Sequence, residues 1–566
     1  MSAGEALASM AARTGYHAIV TKSFGSQIRG GESSCRVRLS TQALHTPAGA
    51  LDVAIVLDWD DYQRLASELP IDEHTLVVFE AACKVAMNEV PLAVRPAEVC
   101  AVPFAAIAKA AAGDDQAKNA VILGMLAGWL DLPAGALLAA LEARLGKKAD
   151  TEAIARAFEA GGKHAADHPL LGPRQLERPA ATKVRHLADG NQMCAAGAIF
   201  AGCRFFGGYP ITPATEVMQI LQRDLPKYGG TVLQCEDELA GIGAAVGASF
   251  AGDKAMTATS GPGMSLKSEM MGLATIAELP LVVMNVQRGG PATGLPTKSE
   301  QADLFQAVFS AHGDAPRPVL ATTSVADTFL TTIEAFNIAE ALQTPTIVLS
   351  DQEIAQRKET FDAIDTSRIE LTERLCPTPA ELAAGYDRFA LTPSGVSPIT
   401  HPGLEGGSYL AGGIEHDPHG DPTNNGAMHA RMADKRQRKL ARLFDRSDLF
   451  GLHGDPAASL AMIAWGSVAG VAREAVERCD AEGVRVRLLV PRLLFPVAEA
   501  VYQAFFAGVR AGFVVEQNHQ GQLYRLLHMY LELPRGLRSL SRSGANPFAP
   551  AELVAQLSAA AKRVEA

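Results

Sequence analysis

Between residues 190 and 352 the chain alternates β-rich runs with helix-patterned segments, and this alternation restricts the fold more than any other feature. The runs lie at 231–235, 255–259, 281–286 and 345–350, and the helical segments at 193–201, 238–251 and 264–277. Strands that are apolar almost without interruption need cover on both faces, and helices between them supply the crossovers of a parallel sheet. A doubly wound α/β domain is predicted over 190–358. The alternation returns from 456, with Leu460-Ala-Met-Ile-Ala-Trp, Val486-Arg-Leu-Leu-Val and Gly512-Phe-Val-Val-Glu, and predicts a second such domain over 456–566. Between them, 359–455 is rich in Gly, Pro, His and Asp and forms a connecting segment, with a basic helical stretch, Ala433-Asp-Lys-Arg-Gln-Arg-Lys, near its end.

The first block, 1–170, mixes Ala/Leu-rich helical stretches with short β-rich runs such as Val53-Ala-Ile-Val-Leu and Thr75-Leu-Val-Val-Phe. Gly172, Pro173 and Pro179 mark 171–189 as an extended linker. At roughly 150 residues per domain, 566 residues imply three or four domains. A hydrophobic fraction of 48% is enough to build their cores.

Charge excludes some functions. Lys plus Arg number 51 against 62 Asp plus Glu, a net charge of −11, which argues against non-specific nucleic-acid binding and against an anionic membrane surface. The most apolar stretch, Val121 to Leu130, is cut by Asp131 and Pro133, short of the ~20 residues that span a bilayer. The N-terminus carries no basic region followed by an apolar stretch. The expectation is a soluble, cytoplasmic protein. None of the eight cysteines forms a Cys-x-x-Cys pair, so reduced, structural thiols are expected, with any redox centre carried elsewhere.

Four segments bear residues suited to chemistry. Gly207-Gly-Tyr-Pro-Ile-Thr-Pro-Ala-Thr-Glu216 lies where a β-run ends, the position at which open α/β sheets bind ligands. It offers the hydroxyls of Tyr209, Thr212 and Thr215, or is simply a rigid turn with a threonine cap. In Cys235-Glu-Asp-Glu-Leu-Ala-Gly-Ile-Gly-Ala-Ala-Val-Gly, acidic residues open a helix that Gly241, Gly243 and Gly247 weaken. Either these carboxylates are solvated, or the glycines admit a close neighbour and a carboxylate at the helix mouth is buried and needs a partner. Thr259-Ser-Gly-Pro-Gly-Met places Gly261 and Gly263 at a strand-to-helix turn that is not a Walker A loop. Asn285-Val-Gln-Arg-Gly-Gly-Pro-Ala-Thr-Gly-Leu-Pro-Thr297 sets Arg288 at a strand end, placed to fork onto a carboxylate, before a glycine-rich loop bearing Thr293. Glu415-His-Asp-Pro-His-Gly-Asp421 matches no standard zinc spacing and reads as a polar interdomain loop; no metal site is expected.

In this order, Tyr209-Pro-Ile-Thr-Pro, Glu236-Asp-Glu, Thr259-Ser-Gly-Pro-Gly and Gln287-Arg-Gly-Gly-Pro-Ala-Thr-Gly-Leu-Pro-Thr resemble the α subunit of 2-oxoacid:ferredoxin oxidoreductases. Ala464-Trp-Gly-Ser, Glu516-Gln-Asn-His-Gln-Gly-Gln and the basic stretch at Lys435 extend the likeness. Ser23-Phe-Gly-Ser-Gln-Ile-Arg-Gly-Gly31 and Ser33-Ser-Cys-Arg-Val37 resemble the family's γ domain, fused at the N-terminus. That domain usually has a strand and a glycine-rich loop before its Ala-Gly-Glu helix. Here the sequence begins at that helix, so strand and loop are expected to be missing.

The resemblance implies an α/β multidomain fold, a γ domain plus two doubly wound domains of the thiamine-diphosphate, transketolase-like type: a pyrimidine-binding domain I at 190–358 and a C-terminal-like domain II at 456–566. It implies oxidative decarboxylation of a 2-oxoacid on thiamine diphosphate, transfer of the acyl group to coenzyme A, and passage of electrons through an iron–sulfur cluster to ferredoxin. Because the diphosphate signature and the cluster cysteines are absent from this sequence, it also implies a β subunit carrying Mg²⁺ and a 4Fe–4S cluster, in a dimer of αβ heterodimers. Glu238 matches the glutamate that hydrogen-bonds the aminopyrimidine N1′, with Gly261 and Gly263 on the cofactor side. Thr212, Arg288, Thr293 and Tyr209 match the substrate side. Within the family, the γα layout and Gly294-Leu-Pro-Thr-Lys298 look most like 2-oxoglutarate enzymes; the alternatives are a pyruvate or branched-chain 2-oxoacid enzyme, and a non-catalytic assembly subunit.

Overall fold

The computed structural model describes residues 2–25, 31–83, 92, 94–96, 98–146, 150–172, 174–544 and 546–565. Two compact units result, one of Met1–Ala188 with Arg357–Ile364, the other of Asp189–Gln356 with Asp365–Ala566. In the first unit, helix Ser2–Thr14 buries Ala6, Ala8, Met10 and Ala11 completely. Strands His17–Phe24 and Ser33–Ser40 pair antiparallel over their full length. Residues 26–30, the middle of the γ-like stretch, lie outside the described residues. A separate parallel sheet holds Val53–Val56, Leu76–Glu80 and Glu98–Val102. The apolar stretch at Val121 is part of helix Lys118–Leu130, which is buried on all sides, packs against helix Thr151–Asp167 and belongs to the unit's core. Among the described residues no helix is long and apolar enough to cross a membrane.

The second unit contains both predicted wound sheets. The larger has seven strands in the order Leu493–Phe495, Val319–Ala321, Pro345–Asp351, Leu281–Gln287, Ala255–Thr259, Phe205–Gly208, Thr231–Gln234, all parallel except the first. Every residue of Ala255–Thr259, Leu281–Gln287 and Pro345–Asp351 is buried, as the apolar runs require. The smaller sheet has the order Phe450–Gly454, Val486–Pro491, Leu460–Ala464, Ala511–Glu516, Leu537–Ser541.

Four segments depart from their sequence assignment. His186–Asp189, read as linker, is a strand, and Lys358–Phe361, placed at the start of the connecting segment, pairs with His17–Phe24 in the first unit. Phe450–Gly454 joins the C-terminal sheet before 456, antiparallel to Val486–Pro491. Leu493–Phe495 leaves its own block to edge the larger sheet. All are short strands defined by pairing rather than by their own periodicity.

One face of the basic stretch is buried: Lys435, Arg436 and Lys439 lie inside, while Asp434, Gln437 and Arg438 are exposed. Lys435 and Lys439 both reach the carboxylate of Glu278, at 2.5 and 2.6 Å, while Arg388 donates to the Glu278 carbonyl at 2.6 Å. Glu278, Lys435 and Arg388 are fully buried and Lys439 nearly so. Burial alone would raise the Glu278 carboxyl, but Lys439, Lys435 and Arg388 outweigh it and hold the group ionised. This cluster pins the connecting segment to the larger sheet's helical layer. Glu278→Gln leaves two buried ammonium groups without a carboxylate and is expected to cost about 3–5 kcal/mol in urea unfolding. A loss below about 1 kcal/mol contradicts this account of how the segment is held.

Candidate functional site

Thr231–Gln234, Phe205–Gly208, Ala255–Thr259 and Leu281–Gln287 are consecutive neighbours in the larger sheet. The four sequence segments follow these four strands, so all leave the sheet at its carboxyl edge. Glu238 follows the first strand, Tyr209 and Thr212 the second, Gly261 and Gly263 the third, and Arg288 the fourth. Parallel strands all end on the same side, so residues as far apart in sequence as Tyr209 and Arg288 converge at that edge.

Glu238 is the first residue of helix Glu238–Phe250, capped by Asp237 through Ala240 N–H at 2.8 Å. It is only 7% exposed, whereas Glu236 and Asp237 are solvated. Its carboxylate has no hydrogen-bond or ion-pair partner among the described residues, although it lies against the backbone of Gly263. A Cβ at Gly263 would stand 2.8 Å from Glu238 Oε1 and 2.1 Å from Thr259 Oγ1. Gly261 and Gly263 are not a loop but the start of helix Gly261–Leu266. The glycines of the Glu238 helix behave differently from one another. At Gly241 a Cβ would meet Gly208 Cα at 2.9 Å, the close backbone approach expected from the sequence, while at Gly247 nothing lies within 4 Å.

Lys267, missed in the sequence, is fully buried, and its Nζ donates to the Glu238 carbonyl at 3.1 Å. Burial pushes its ammonium down to about 8, against the pull of Glu238, Cys235 and Asp237. A lysine four residues beyond a Gly-Pro-Gly turn carries no signal that separates it from a solvated one.

Arg288 is 7% exposed and donates from Nη1 to the carbonyl of Thr212 at 2.5 Å, while its Nε is buried without a partner. The structure thus brings Arg288 and Thr212 together. Helix Thr215–Asp224 has Ala214 at its N-cap and no side-chain cap, so neither threonine serves as one. Beyond Arg288 the chain closes a loop through Gly289 N–H to Lys298 O and Leu295 N–H to Gly289 O, at 3.0 and 2.8 Å. Thr293 is exposed in this loop and Tyr209 is 38% exposed. Neither side chain hydrogen-bonds to the other candidates.

Asp303 was also missed. Asn285 Nδ2 donates to it at 3.0 Å, its N–H donates to Gln287 Oε1 at 3.0 Å, and its carboxylate sits against Gly261. Burial pushes the Asp303 carboxyl up to about 6, opposed by Asn285 and Arg288 and reinforced by Glu300. Asp303 joins the Arg288 side of the edge to the Gly261 side. Its partners had a signal: Asn285 and Gln287 are polar residues within an otherwise apolar strand, where burial demands a partner.

The histidine loop at 415–421 is a turn in which Asp417 Oδ1 accepts from the N–H groups of His419, Gly420 and Asp421, and His416 packs on Phe389. No three His, Cys, Asp or Glu side chains among the described residues converge for a metal. All eight cysteines are free thiols, and burial pushes Cys194 and Cys203 up to about 12.

Comparison with known proteins adds three family matches. Residues 196–433 match the thiamine-diphosphate-binding domain of pyruvate flavodoxin/ferredoxin oxidoreductases, 1–164 the pyruvate ferredoxin/flavodoxin oxidoreductase family, and 458–550 the pyruvate:ferredoxin oxidoreductase core domain II. The 2-oxoglutarate synthase subunit KorA of Methanocaldococcus jannaschii is 34% identical over 64% of this chain and 97% of its own length. The α subunit of 2-oxoacid:ferredoxin oxidoreductase 2 of Aeropyrum pernix is 37% identical over 61% of this chain, which spans just over half, 56%, of that relative. The 2-oxoglutarate:ferredoxin oxidoreductase of Magnetococcus marinus, solved with 2-oxoglutarate, coenzyme A and succinyl-CoA bound, superposes with a TM-score of 0.93 at 34% identity over 99% of this chain and 97% of that one.

The geometry makes two predictions. Gly241→Ala, whose Cβ meets backbone, is expected to cost about 1–3 kcal/mol in thermal or urea unfolding. Gly247→Ala, in open space, is expected to add up to about 1 kcal/mol; equal effects contradict the close-approach account. The Asp303 carboxyl titrates near 3.8 when unfolded and near 6 when folded, so its share of stability is complete below about pH 4 and is lost as pH rises through about 6. Asp303→Asn is expected to gain on wild type in Tm over that interval, and a gap that is flat with pH refutes the assignment.

Proposed function

Because the chain belongs to the 2-oxoacid:ferredoxin oxidoreductase family, we propose that it is the fused γα subunit of a thiamine-diphosphate-dependent 2-oxoglutarate enzyme. The reaction is 2-oxoglutarate, coenzyme A and oxidised ferredoxin to succinyl-CoA, CO₂ and reduced ferredoxin, in either direction. The observation that carries the proposal is the Glu238 carboxylate, nearly buried, without a partner, and set against the backbone of Gly263 one sheet neighbour from the Arg288–Thr212 pair. The substrate rests on relatives described as 2-oxoglutarate enzymes.

An unpartnered carboxylate at a helix mouth suits a ring nitrogen that must be held and protonated. Thiamine diphosphate, when bound, supplies the nucleophilic carbon and the electron sink for decarboxylation. Glu238 would hold a proton at the aminopyrimidine N1′. Gly263 lets the Glu238 carboxylate and Thr259 Oγ1 close on the backbone where a Cβ would clash. Arg288, fixed by the Thr212 carbonyl and with a buried free Nε, offers guanidinium N–H groups to the C1 carboxylate of the 2-oxoacid. Tyr209 and Thr293, both exposed, remain open to substrate or partner, with Thr293 bearing on substrate choice.

The diphosphate, its Mg²⁺ and the 4Fe–4S cluster belong to a β subunit, in a dimer of αβ heterodimers served by ferredoxin. Support for that partner is the run of exposed apolar residues on the elements that carry the site: Leu233 at 44%, Leu239 at 48% and Leu266 at 47%. Coenzyme A takes the acyl group.

The test is dye-linked, coenzyme A-dependent oxidation by the chain co-purified with its partner, given 2-oxoglutarate and pyruvate separately. Turnover with 2-oxoglutarate that requires thiamine diphosphate is expected, and a strong preference for pyruvate rejects the substrate. Glu238→Gln is expected to lower kcat by about 10²–10⁴-fold with the fold intact by circular dichroism, and turnover within a few-fold of wild type would sink its role.

A further inference from the structure

The stretch Glu516-Gln-Asn-His-Gln-Gly-Gln522 has no part in the chemistry described so far, yet three of its residues, Glu516, Gln517 and Asn518, are fully buried, and Gln522 nearly so. Hydrogen bonds from Gln517, Asn518 and Gln522 converge on one segment, residues 299–305. This segment follows the loop bearing Thr293 and precedes helix Leu304–Phe309, and up to Asp303 it has no regular structure. A buried irregular segment must find partners for its backbone groups, and here the C-terminal block supplies them. Gln301 N–H donates to Gln517 O at 2.8 Å, and Gln517 N–H donates back to Gln301 Oε1 at 2.9 Å. Gln517 Nε2 donates to Ser299 O at 3.0 Å and Asn518 Nδ2 to Gln301 O at 3.1 Å. Gln522 takes both ends of the next step, donating from Nε2 to Ala302 O at 2.8 Å and accepting at Oε1 from Phe305 N–H at 2.9 Å. Gln301 Nε2 reaches the carbonyl of Trp465 at 2.6 Å.

The latch is itself rigid. The Glu516 carboxylate accepts from Leu523 N–H, Tyr524 N–H and Asn518 Nδ2, at 2.7, 3.0 and 3.0 Å, which fixes the start of helix Gln522–Tyr530. On its other side the segment 299–305 delivers Asp303 to Asn285 and Gln287, at the end of the strand before Arg288. The substrate loop is thus anchored at one end by the strand Leu281–Gln287 and at the other by domain II.

We propose that Gln517, Asn518 and Gln522 are positioning residues for the 2-oxoacid: they act on Arg288 and Thr293 through the segment 299–305, so that domain II sets substrate affinity without touching the substrate. This rests on the reading of Arg288 and Thr293 as substrate-facing. Gln522 gives the cleanest test, because its side-chain bonds go to 302 and 305 and none serve its own domain.

In the co-purified complex, Gln522→Met is expected to raise the KM for 2-oxoglutarate about tenfold, with kcat within about twofold and thiamine diphosphate affinity unchanged. Hydrogen exchange over 289–298 should quicken at the same time. Gln522→Glu keeps the acceptor for Phe305 N–H and loses the donor to Ala302 O, so an intermediate KM is expected, and this variant carries the test if the methionine variant does not fold. Val476→Ala, in the core of the C-terminal sheet, is the control for simple destabilisation and is expected to leave KM unchanged. An unchanged KM in both Gln522 variants, or an equal rise in Val476→Ala, overturns the proposal. Arg288→Met separates the two readings: a KM unaffected by that change overturns the role of Arg288 and this inference with it, whereas a raised KM there with normal Gln522 variants overturns the latch alone.

Discussion

A parallel sheet covered on both faces has nowhere to put polar chemistry except its ends, and the second unit of this protein is organised by that restriction. Ala255–Thr259, Leu281–Gln287 and Pro345–Asp351 are buried along their whole length. Charged groups that served a reaction anywhere along those strands would need a partner in the interior. At the carboxyl edge the chain turns out of the sheet, and Glu238, Thr212, Gly263 and Arg288 are all delivered there by four neighbouring strands. Convergence of this kind follows from strand order, and strand order follows from the crossovers.

Close backbone packing then converts neighbours into a site. Glu238 faces Gly263 because nothing projects from that position, and the Glu238 helix lies on Gly208 because Gly241 presents no side chain. Polar groups are kept apart by function. The two lysines that bind the Glu278 carboxylate hold the connecting segment in place, whereas the Glu238 carboxylate has no partner among the described residues and Arg288 Nε is buried without one. A buried polar atom left without a partner costs free energy unless a ligand supplies one, and Arg288 Nε at the candidate site is such an atom.

The two wound sheets of the second unit do not act as separate modules. One strand of the C-terminal block edges the larger sheet, and the residues after Glu516 satisfy the irregular segment that carries Asp303 back to the strand of Arg288. Domain II thereby completes the hydrogen bonding of a segment on which the site depends.

Much of this was legible in the sequence. The apolar runs determine a parallel sheet covered on both faces, since no other arrangement hides both sides of such strands, and the turn residues after them mark the edge where ligands bind. The four motifs and their order determine the family. Tertiary structure alone decided the rest, because it depends on pairing and proximity rather than local pattern. Phe450–Gly454, Leu493–Phe495 and Lys358–Phe361 are strands only because a partner strand lies beside them. Lys267 and Lys435 look like any solvated lysine until the fold buries one beside Glu238 and the other on Glu278. Asp303 becomes part of the site through Asn285 and Gln287, 18 and 16 positions away, and Gln522 through contacts more than 200 positions away. Sequence patterns report which faces must be covered, since that is a property of each segment alone; what covers them, and which charges meet, is settled only when distant segments are brought within hydrogen-bond reach.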